Sequence, residues 1–445
     1  MTHLLDDLVW RGLVADSTDL GALRQAMDGG PVTFYVGFDP TGPSLHHGHL
    51  VQVLTARRIQ QAGHRPLALV GGSTGLIGDP RPDAERVLND PAVVAAWADR
   101  IRHQIEPFLD FDGPEPARMV NNLDWTAKIS AIELLRDIGR HFRVGRMLAK
   151  EAVSARMASE TGISYTEFSY QVLQALDYLE LFRRYGCTLQ TGGSDQWGNI
   201  TAGVDLVRRA EGVTVHAMAT PLLTRADGSK FGKSDAGGAL WLDPALLSPY
   251  AFFQFWLNVA DADVGRYLRV LSFRSPVEIE ALEGEVAERP AARTAQRALA
   301  EELTALVHGP GEVAKVMAAS RALFGQGDLA ALDAATLEAS LRELPAAYVA
   351  LGGGELPTLV ELLRAAGLSP SLSAARRTVD DGGAYLNNVR VRDAEQRLEP
   401  GDLLHGRWAV LRRGRRSLAG VVADKLEASA ASIDGVGPER RPTPA

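Results

Sequence analysis

The first half of this sequence predicts an α/β fold built on a parallel sheet, on three observations. Strand-like and helix-like patterns alternate over roughly the first 220 residues. The strand runs read as buried on both faces. Turn residues sit where the strands end. Strands joined through helices lie parallel, and such a sheet takes helices on both faces. Ligands bind beyond the carboxyl ends of strands of this kind.

The elements follow in order. Residues 32–38 are β-rich and run into the turn Asp39-Pro40-Thr41-Gly42. Helical periodicity occupies 49–61 and stops at Gly63. Residues 66–72 read as a second buried strand, and 117–121 and 187–191 as later strands, each followed by a helix. A helical stretch, 128–184, interrupts the alternation. From 248 to 344 the pattern is again helical, rich in Ala, Leu and Glu. Gly352-Gly353-Gly354 marks a linker. Beyond it, 359–377 reads as two short helices, 384–391 as a hairpin around Asn387-Asn388, and 405–411 as another strand. The Ala-, Ser- and Pro-rich end reads as a disordered tail.

The chain has 445 residues, enough for two or three domains, and its 46% hydrophobic and 23% charged content is that of a water-exposed globular protein. No apolar run reaches the roughly 18–20 residues that span a bilayer. The N-terminus carries Asp6 and Asp7 where a signal peptide carries base, so a cytoplasmic protein with no membrane partner is expected. The lone cysteine, Cys187, excludes an intrachain disulfide and a Cys-rich zinc site, and reads as core. The net charge of −8 is uneven. Residues 356–420 hold eleven Arg, no Lys and seven Asp plus Glu, which is +4 and leaves −12 on the remainder. That module is either a local nucleic-acid contact or a solvated arginine-rich surface.

Three motifs carry chemistry. His46-His47-Gly48-His49 falls at a loop-to-helix junction, where free N–H groups and the helix dipole favour phosphate. Its histidines can hydrogen-bond phosphate or ribose oxygens, and Gly48 leaves room for a flat base. A metal site finds no third ligand at suitable spacing. Lys230-Phe231-Gly232-Lys233-Ser234 lies in a turn-rich, glycine-flanked loop, and its two lysines could neutralise phosphate charge. Taken alone, that pentapeptide reads more readily as a solvated loop. Tyr170, Gln174 and Asp177 fall at i, i+4 and i+7 of one helix, either a surface stripe or the wall of a pocket for a small polar ligand.

Together, and with the stretch 192–199 (GGSDQWGN), these motifs resemble the two signatures and the pocket of the class I aminoacyl-tRNA synthetases, specifically the bacterial tyrosyl branch, over about residues 4–420. The resemblance implies a Rossmann-like catalytic domain over 1–247 with a helical insertion. It further implies an α-helical domain on the anticodon side of tRNA over 248–345, a linker over 346–355, an α+β RNA-binding domain of the α-L type over 356–421, and a tail over 422–445. It implies activation of L-tyrosine by ATP, with Mg²⁺ carried on ATP and no protein-bound metal, then transfer to tRNA(Tyr), by a homodimer joined near 128–165. His46, His49, Lys230 and Lys233 resemble the catalytic set. Tyr35 and Asp177 resemble the pair on the substrate phenol, and Asp79, Tyr170 and Gln174 the set around its ammonium, with Gln196 near its carboxylate. Gly37, Asp39, Gly48, Gly193, Asp195 and Lys233 resemble the ATP and adenylate contacts. Arg376, Arg377, Arg412 and Arg413 become expected tRNA contacts. His47 stands where the family usually has Ile.

Overall fold

In the computed structural model the described residues are 3–81, 85–86, 88–159, 162–229, 231, 239–351, 355–414 and 417–425. They divide into two compact units, Met1–Pro310 and Gly311–Ala445.

The first unit carries a six-stranded sheet of β1 (Asp16–Ser17), β2 (Thr33–Phe38), β3 (Arg65–Val70), β4 (Arg118–Asn121), β5 (Leu189–Gly193) and β6 (His216–Thr220), in the order β1-β6-β5-β2-β3-β4. β2 to β6 run parallel, and the two-residue edge strand β1 pairs antiparallel with β6. The strand order therefore reverses between β2 and β5, which makes their carboxyl ends the switch point where a ligand cleft forms. Side chains of β2 alternate between two covered faces. Tyr35 joins Leu67, Leu69, Leu176 and Leu179 in one apolar cluster, beneath the helices Tyr165–Tyr185 and Trp197–Glu211. Phe38, on the opposite face, meets the ring of His49 in the helix His47–Gln61. That helix buries Leu50, Leu54 and Ile59 completely, each burial contributing roughly 1.5–3 kcal/mol.

Two strands of this unit went unread in the sequence, β1 and β6, as did two of the second unit, at 346–351 and 417–425. The stretch 128–184 is not one helical run: short helices Ala131–Glu133, Val144–Leu148 and Glu151–Met157 and two irregular helical turns precede Tyr165–Tyr185. Four further helices, Pro249–Leu257, Asp261–Leu271, Pro276–Glu288 and Thr294–His308, complete the first unit. Arg11 ties the N-terminus to them by donating to the carbonyls of Arg269, Ser272 and Arg274 at 3.1, 2.9 and 2.8 Å.

The second unit is a five-stranded sheet of β7 (Ala346–Leu351), β8 (Ala384–Leu386), β9 (Val389–Arg390), β10 (Trp408–Arg413) and β11 (Ser417–Lys425), ordered β7-β11-β10-β8-β9. The helices Leu359–Ala365 and Leu372–Asp380 close its core with Leu359, Leu363, Val379, Leu411 and Val421. Asn387 and Asn388 take φ of 45° and 68°, the paired left-handed conformation that a two-residue hairpin turn requires. Three expected boundaries need correction. Residues 346–351 are not linker but strand β7, which pairs in parallel along β11; Gly352-Gly353-Gly354 lies outside the described residues. Residues 422–425 are not tail but the end of β11, and the rest of the expected tail lies outside the described residues. The expected helical domain 248–345 is divided, because the chain beyond Pro310 packs with the second unit.

Candidate active site

The first signature is also a helix cap. The backbone N–H of Gly48 donates to Nδ1 of His46 at 3.1 Å, and the N–H of His46 donates to Nδ1 of His49 at 3.1 Å. Both histidines satisfy orphan donors at the N-terminus of His47–Gln61, a capping box made of imidazoles. A ring nitrogen that accepts an N–H carries no proton, so each ring holds its proton on Nε2. Burial lowers the pKa of His46 and drives that of His49 well below the ordinary value, keeping both neutral at pH 7. The rings stack at 4.0 Å. A Cβ on Gly48 would come within 3.0 Å of the His46 ring, so glycine here admits the cap itself. Lys230 and Lys233 lie outside the described residues.

The loops after β2, β3, β4 and β5 supply the rest. Asp39, just past β2, accepts from Thr74 Oγ1 at 2.6 Å and from the Tyr170 hydroxyl at 2.6 Å. Burial raises its pKa, and these two donors oppose that shift. A Cβ on Gly71 would fall 1.9 Å from Asp39 Oδ1, so the loop after β3 needs glycine there. Tyr170, expected in the ammonium set with Asp79, thus shares a hydrogen bond with Asp39, expected in the adenylate set. Asp79 accepts from Gln196 Nε2 at 2.9 Å and from Asn199 Nδ2 at 3.2 Å. Gln196 also donates to Asp195 at 3.3 Å. Gly193 gives way to the Asp195 carboxylate, 2.4 Å from where a Cβ would stand. Gly37 is exposed on β2, in register with Leu69 of β3.

Tyr35 and Asp177 are buried, each 1% exposed. The two carboxylate oxygens of Asp177 accept from Asn122 Nδ2 at 3.0 Å and from Trp125 Nε1 at 2.9 Å. Burial nevertheless pushes its pKa up to about 8. The Tyr35 hydroxyl is buried with no hydrogen-bond partner among the described residues, and so is Oε1 of Gln174. Sequence reasoning missed Asn122, Trp125 and Thr74, which orient the carboxylates, and the buried pair Arg156–Glu167 at 2.9 Å. Glu167 also accepts the backbone N–H of Arg86 at 2.7 Å, while Arg86 Nε donates to the carbonyl of Asp79 at 2.9 Å; the loop bearing Asp79 is held this way. The position of Asn122, just past the carboxyl end of β4, is the signal that could have found it.

In the second unit, Arg376 and Arg377 are exposed on the helix Leu372–Asp380, Arg376 paired to Glu395 at 2.6 Å. Arg412 lies over the ring of Tyr385 at 3.9 Å, and Arg413 is exposed at the end of β10. Among the described residues no group of three or more His, Cys, Asp or Glu side chains is placed to hold a metal. Among them, too, no helix is long and apolar enough to cross a membrane.

The parallel sheet, with an imidazole-capped helix at its switch point and the buried Asp177 carboxylate beside it, is that of a class I aminoacyl-tRNA synthetase of the tryptophan and tyrosine branch. Residues 27–325 match the family model for tRNA synthetases class I (W and Y), and 337–419 match that for the tyrosine–tRNA ligase SYY-like C-terminal domain. The chain is 66% identical over 422 residues to the tyrosine–tRNA ligase of Streptomyces griseus, covering 95% of this chain and 99% of that one. It is 59% identical to that of Mycobacterium tuberculosis, covering 94% and 98%. It also resembles the solved C-terminally truncated mitochondrial tyrosyl-tRNA synthetase of Coccidioides posadasii, with a TM-score of 0.63 and 32% identity, over 71% of this chain and 91% of that one. This chain belongs to the tyrosine–tRNA ligase family. It is an aminoacyl-tRNA synthetase, with tyrosine, ATP and tRNA as its substrates.

Proposed function

We propose that tyrosine binds with its phenol between Tyr35 and Asp177, and that the unpartnered Tyr35 hydroxyl carries this assignment. A buried hydroxyl without a partner costs roughly 1–3 kcal/mol, and a phenol oxygen relieves that cost. Asp177 has a second lone pair on each oxygen free of Asn122 and Trp125, and accepts the phenol proton. Phenylalanine leaves both groups unmatched. The substrate ammonium lies toward Asp79 and the unpartnered Gln174 Oε1, and its carboxylate toward Gln196.

ATP, carried with Mg²⁺ as the substrate complex, lies over the capped helix, with its ribose toward Asp195 and the backbone of Gly37 and Gly193. A tyrosine carboxylate oxygen attacks the α-phosphorus in line, and pyrophosphate leaves. No general base is needed, because the nucleophile is already an anion. The Nε2–H groups of His46 and His49 donate to phosphate oxygens as charge builds, and Lys230 and Lys233 take up the charge moving onto pyrophosphate. The tyrosyl group then passes to the 3′-terminal adenosine of tRNA(Tyr). Arg376, Arg377, Arg412 and Arg413 hold the tRNA backbone through the second unit. The enzyme acts in the cytoplasm as a homodimer joined through the 128–165 region, whose exposed Ile132, Leu135, Val144 and Tyr165 support that reading. Tyrosine-dependent exchange between ATP and pyrophosphate tests the assignment. Exchange absent in the wild type, or unaltered by substituting Tyr35 and Asp177 together, would overturn it.

A further inference from the structure

The two signatures are joined by contacts that neither motif announces. Chain on either side of the second signature is pinned. Upstream, Asp263 accepts the backbone N–H of Ala226 at 2.6 Å, the Tyr267 hydroxyl donates to the carbonyl of Thr224 at 3.1 Å, and Arg266 donates to Thr224 Oγ1 at 3.0 Å. All three side chains come from the helix Asp261–Leu271. Downstream, Trp241 forms an antiparallel bridge with His46, and the N–H of His47 donates to the carbonyl of Leu240 at 3.1 Å.

Between these pins stands Phe231, flanked in sequence by Lys230 and, two residues on, Lys233. A phenylalanine in a lysine-bearing loop belongs in water only at a hydrophobic cost, and this one is 8% exposed. Its ring meets Tyr267 at 4.5 Å, Phe255 at 5.3 Å and Trp256 at 5.5 Å. The fourth wall is His47, edge-on at 5.3 Å and 81°. Tyr267 acts twice, its hydroxyl on Thr224 and its ring against Phe231. His47 lies between the two capping histidines of the first signature. The cup thus holds the Phe231 ring beside the segment that carries His46 and His49.

We propose that Phe231 is a positioning residue: seated in the cup of His47, Phe255, Trp256 and Tyr267, it fixes where Lys230 and Lys233 meet the triphosphate relative to the two histidines. This rests on the assignment of the lysines to pyrophosphate. Tyrosine binding does not depend on the cup, since none of its residues belongs to the tyrosine pocket. Adenylate formation and its reversal by pyrophosphate do depend on it.

The test is single-turnover kinetics on full-length Phe231→Ala, Phe231→Met and Lys233→Ala, with tyrosine affinity and melting temperature measured on each. Phe231→Ala is expected to slow adenylate formation at saturating tyrosine by about 10- to 100-fold, and to slow pyrophosphorolysis equally. Tyrosine Kd should stay within about twofold. Phe231→Met refills the cup and should recover most of the rate. A Phe231→Ala protein with normal rates, while Lys233→Ala is slow, overturns the positioning role and leaves the lysine assignment intact. Normal rates in Lys233→Ala overturn the lysine assignment and this inference with it. A large fall in melting temperature with tyrosine binding lost in step makes Phe231 a plain core residue, which also overturns the proposal. Tyr267→Phe keeps the ring and removes the hydroxyl; its rate should lie between wild type and Phe231→Ala, and a wild-type rate there confines the role to the ring stack.

Discussion

Replacing Trp125 by Phe removes one donor from Asp177 while keeping an aromatic ring in place. The indole Nε1–H donates to Asp177 Oδ1 at 2.9 Å in a buried setting. A hydrogen bond to a charged group contributes about 1.5–3 kcal/mol, which is about a 10- to 150-fold change in an equilibrium. The pKa of Asp177 is about 8 because burial outweighs the donors from Asn122 and Trp125. Its folded value exceeds its unfolded value, so the stability it contributes is full below pH 3.8 and lost as pH rises through about 8. Tyrosine draws on the ionised form, which accepts the phenol proton, so wild-type affinity should rise with pH up to about 8. Without the tryptophan donor the titration moves higher still, and at pH 7.5 tyrosine Kd should weaken by about 10- to 100-fold. Part of that loss should return at pH 9. Equilibrium dialysis with labelled tyrosine between pH 6.5 and 9 reads both effects, with a thermal melt to establish folding. A folded variant with unchanged Kd, or with the same loss at every pH, would refute the reasoning.

Three further outcomes follow. Tyr35→Phe should narrow the kcat/KM preference for tyrosine over phenylalanine by roughly 10-fold, from about 0.5–1.5 kcal/mol for a neutral hydrogen bond; an unchanged ratio means Tyr35 does not read the phenol. His47 titrates near pH 4 because of burial and the neighbouring His46. Its folded pKa lies below its unfolded 6.5, so stability present above pH 6.5 is lost as pH falls toward 4. His47→Ile should spare about 2 kcal/mol of the loss between pH 7 and 4.5 in urea unfolding, and parallel losses in the two proteins would count against it. A chain ending at Pro310 should remain monodisperse and form adenylate near the full rate, whereas one ending at Leu351 keeps β7 without β11 and should aggregate. Both should lose tRNA charging. Gel filtration and paired exchange and charging assays decide this, and identical behaviour of the two chains speaks against the unit boundary.

The sequence made β2, β3 and β4 readable because each is an apolar run ending in Asp, Gly or Asn at a strand end. It hid β6, which begins at His216 and ends at Thr220, because only three apolar residues lie between those polar ends, and Thr220 is buried through a hydrogen bond from Gln52 that the sequence does not show. β1, two residues long, has no period to detect. In β7 the alternation was present, with Ala347 and Val349 buried and Tyr348 exposed, but the adjacent glycines outweighed it. Site residues on one helix, such as Tyr170 and Asp177, were legible from helical spacing. Asn122 and Trp125 were not, since they reach Asp177 across 55 and 52 residues and only the fold brings them there.

The parallel pairing of β7 with β11 has a consequence during synthesis. β7 is complete at Leu351, and the strand that satisfies it begins at Ser417. At about 5–20 residues per second, residues 352–416 take on the order of 3–13 s to emerge. For that interval the nascent chain carries a finished strand whose partner has not been translated, with Tyr348 79% exposed even in the folded protein. Closure cost grows by only about 0.6 kcal/mol for each doubling of loop length, so the delay is set by the ribosome and not by the length of the loop. The second unit therefore closes only when its last strand has been read, and a product released early by a premature stop bears an open strand edge that proteases and chaperones can recognise.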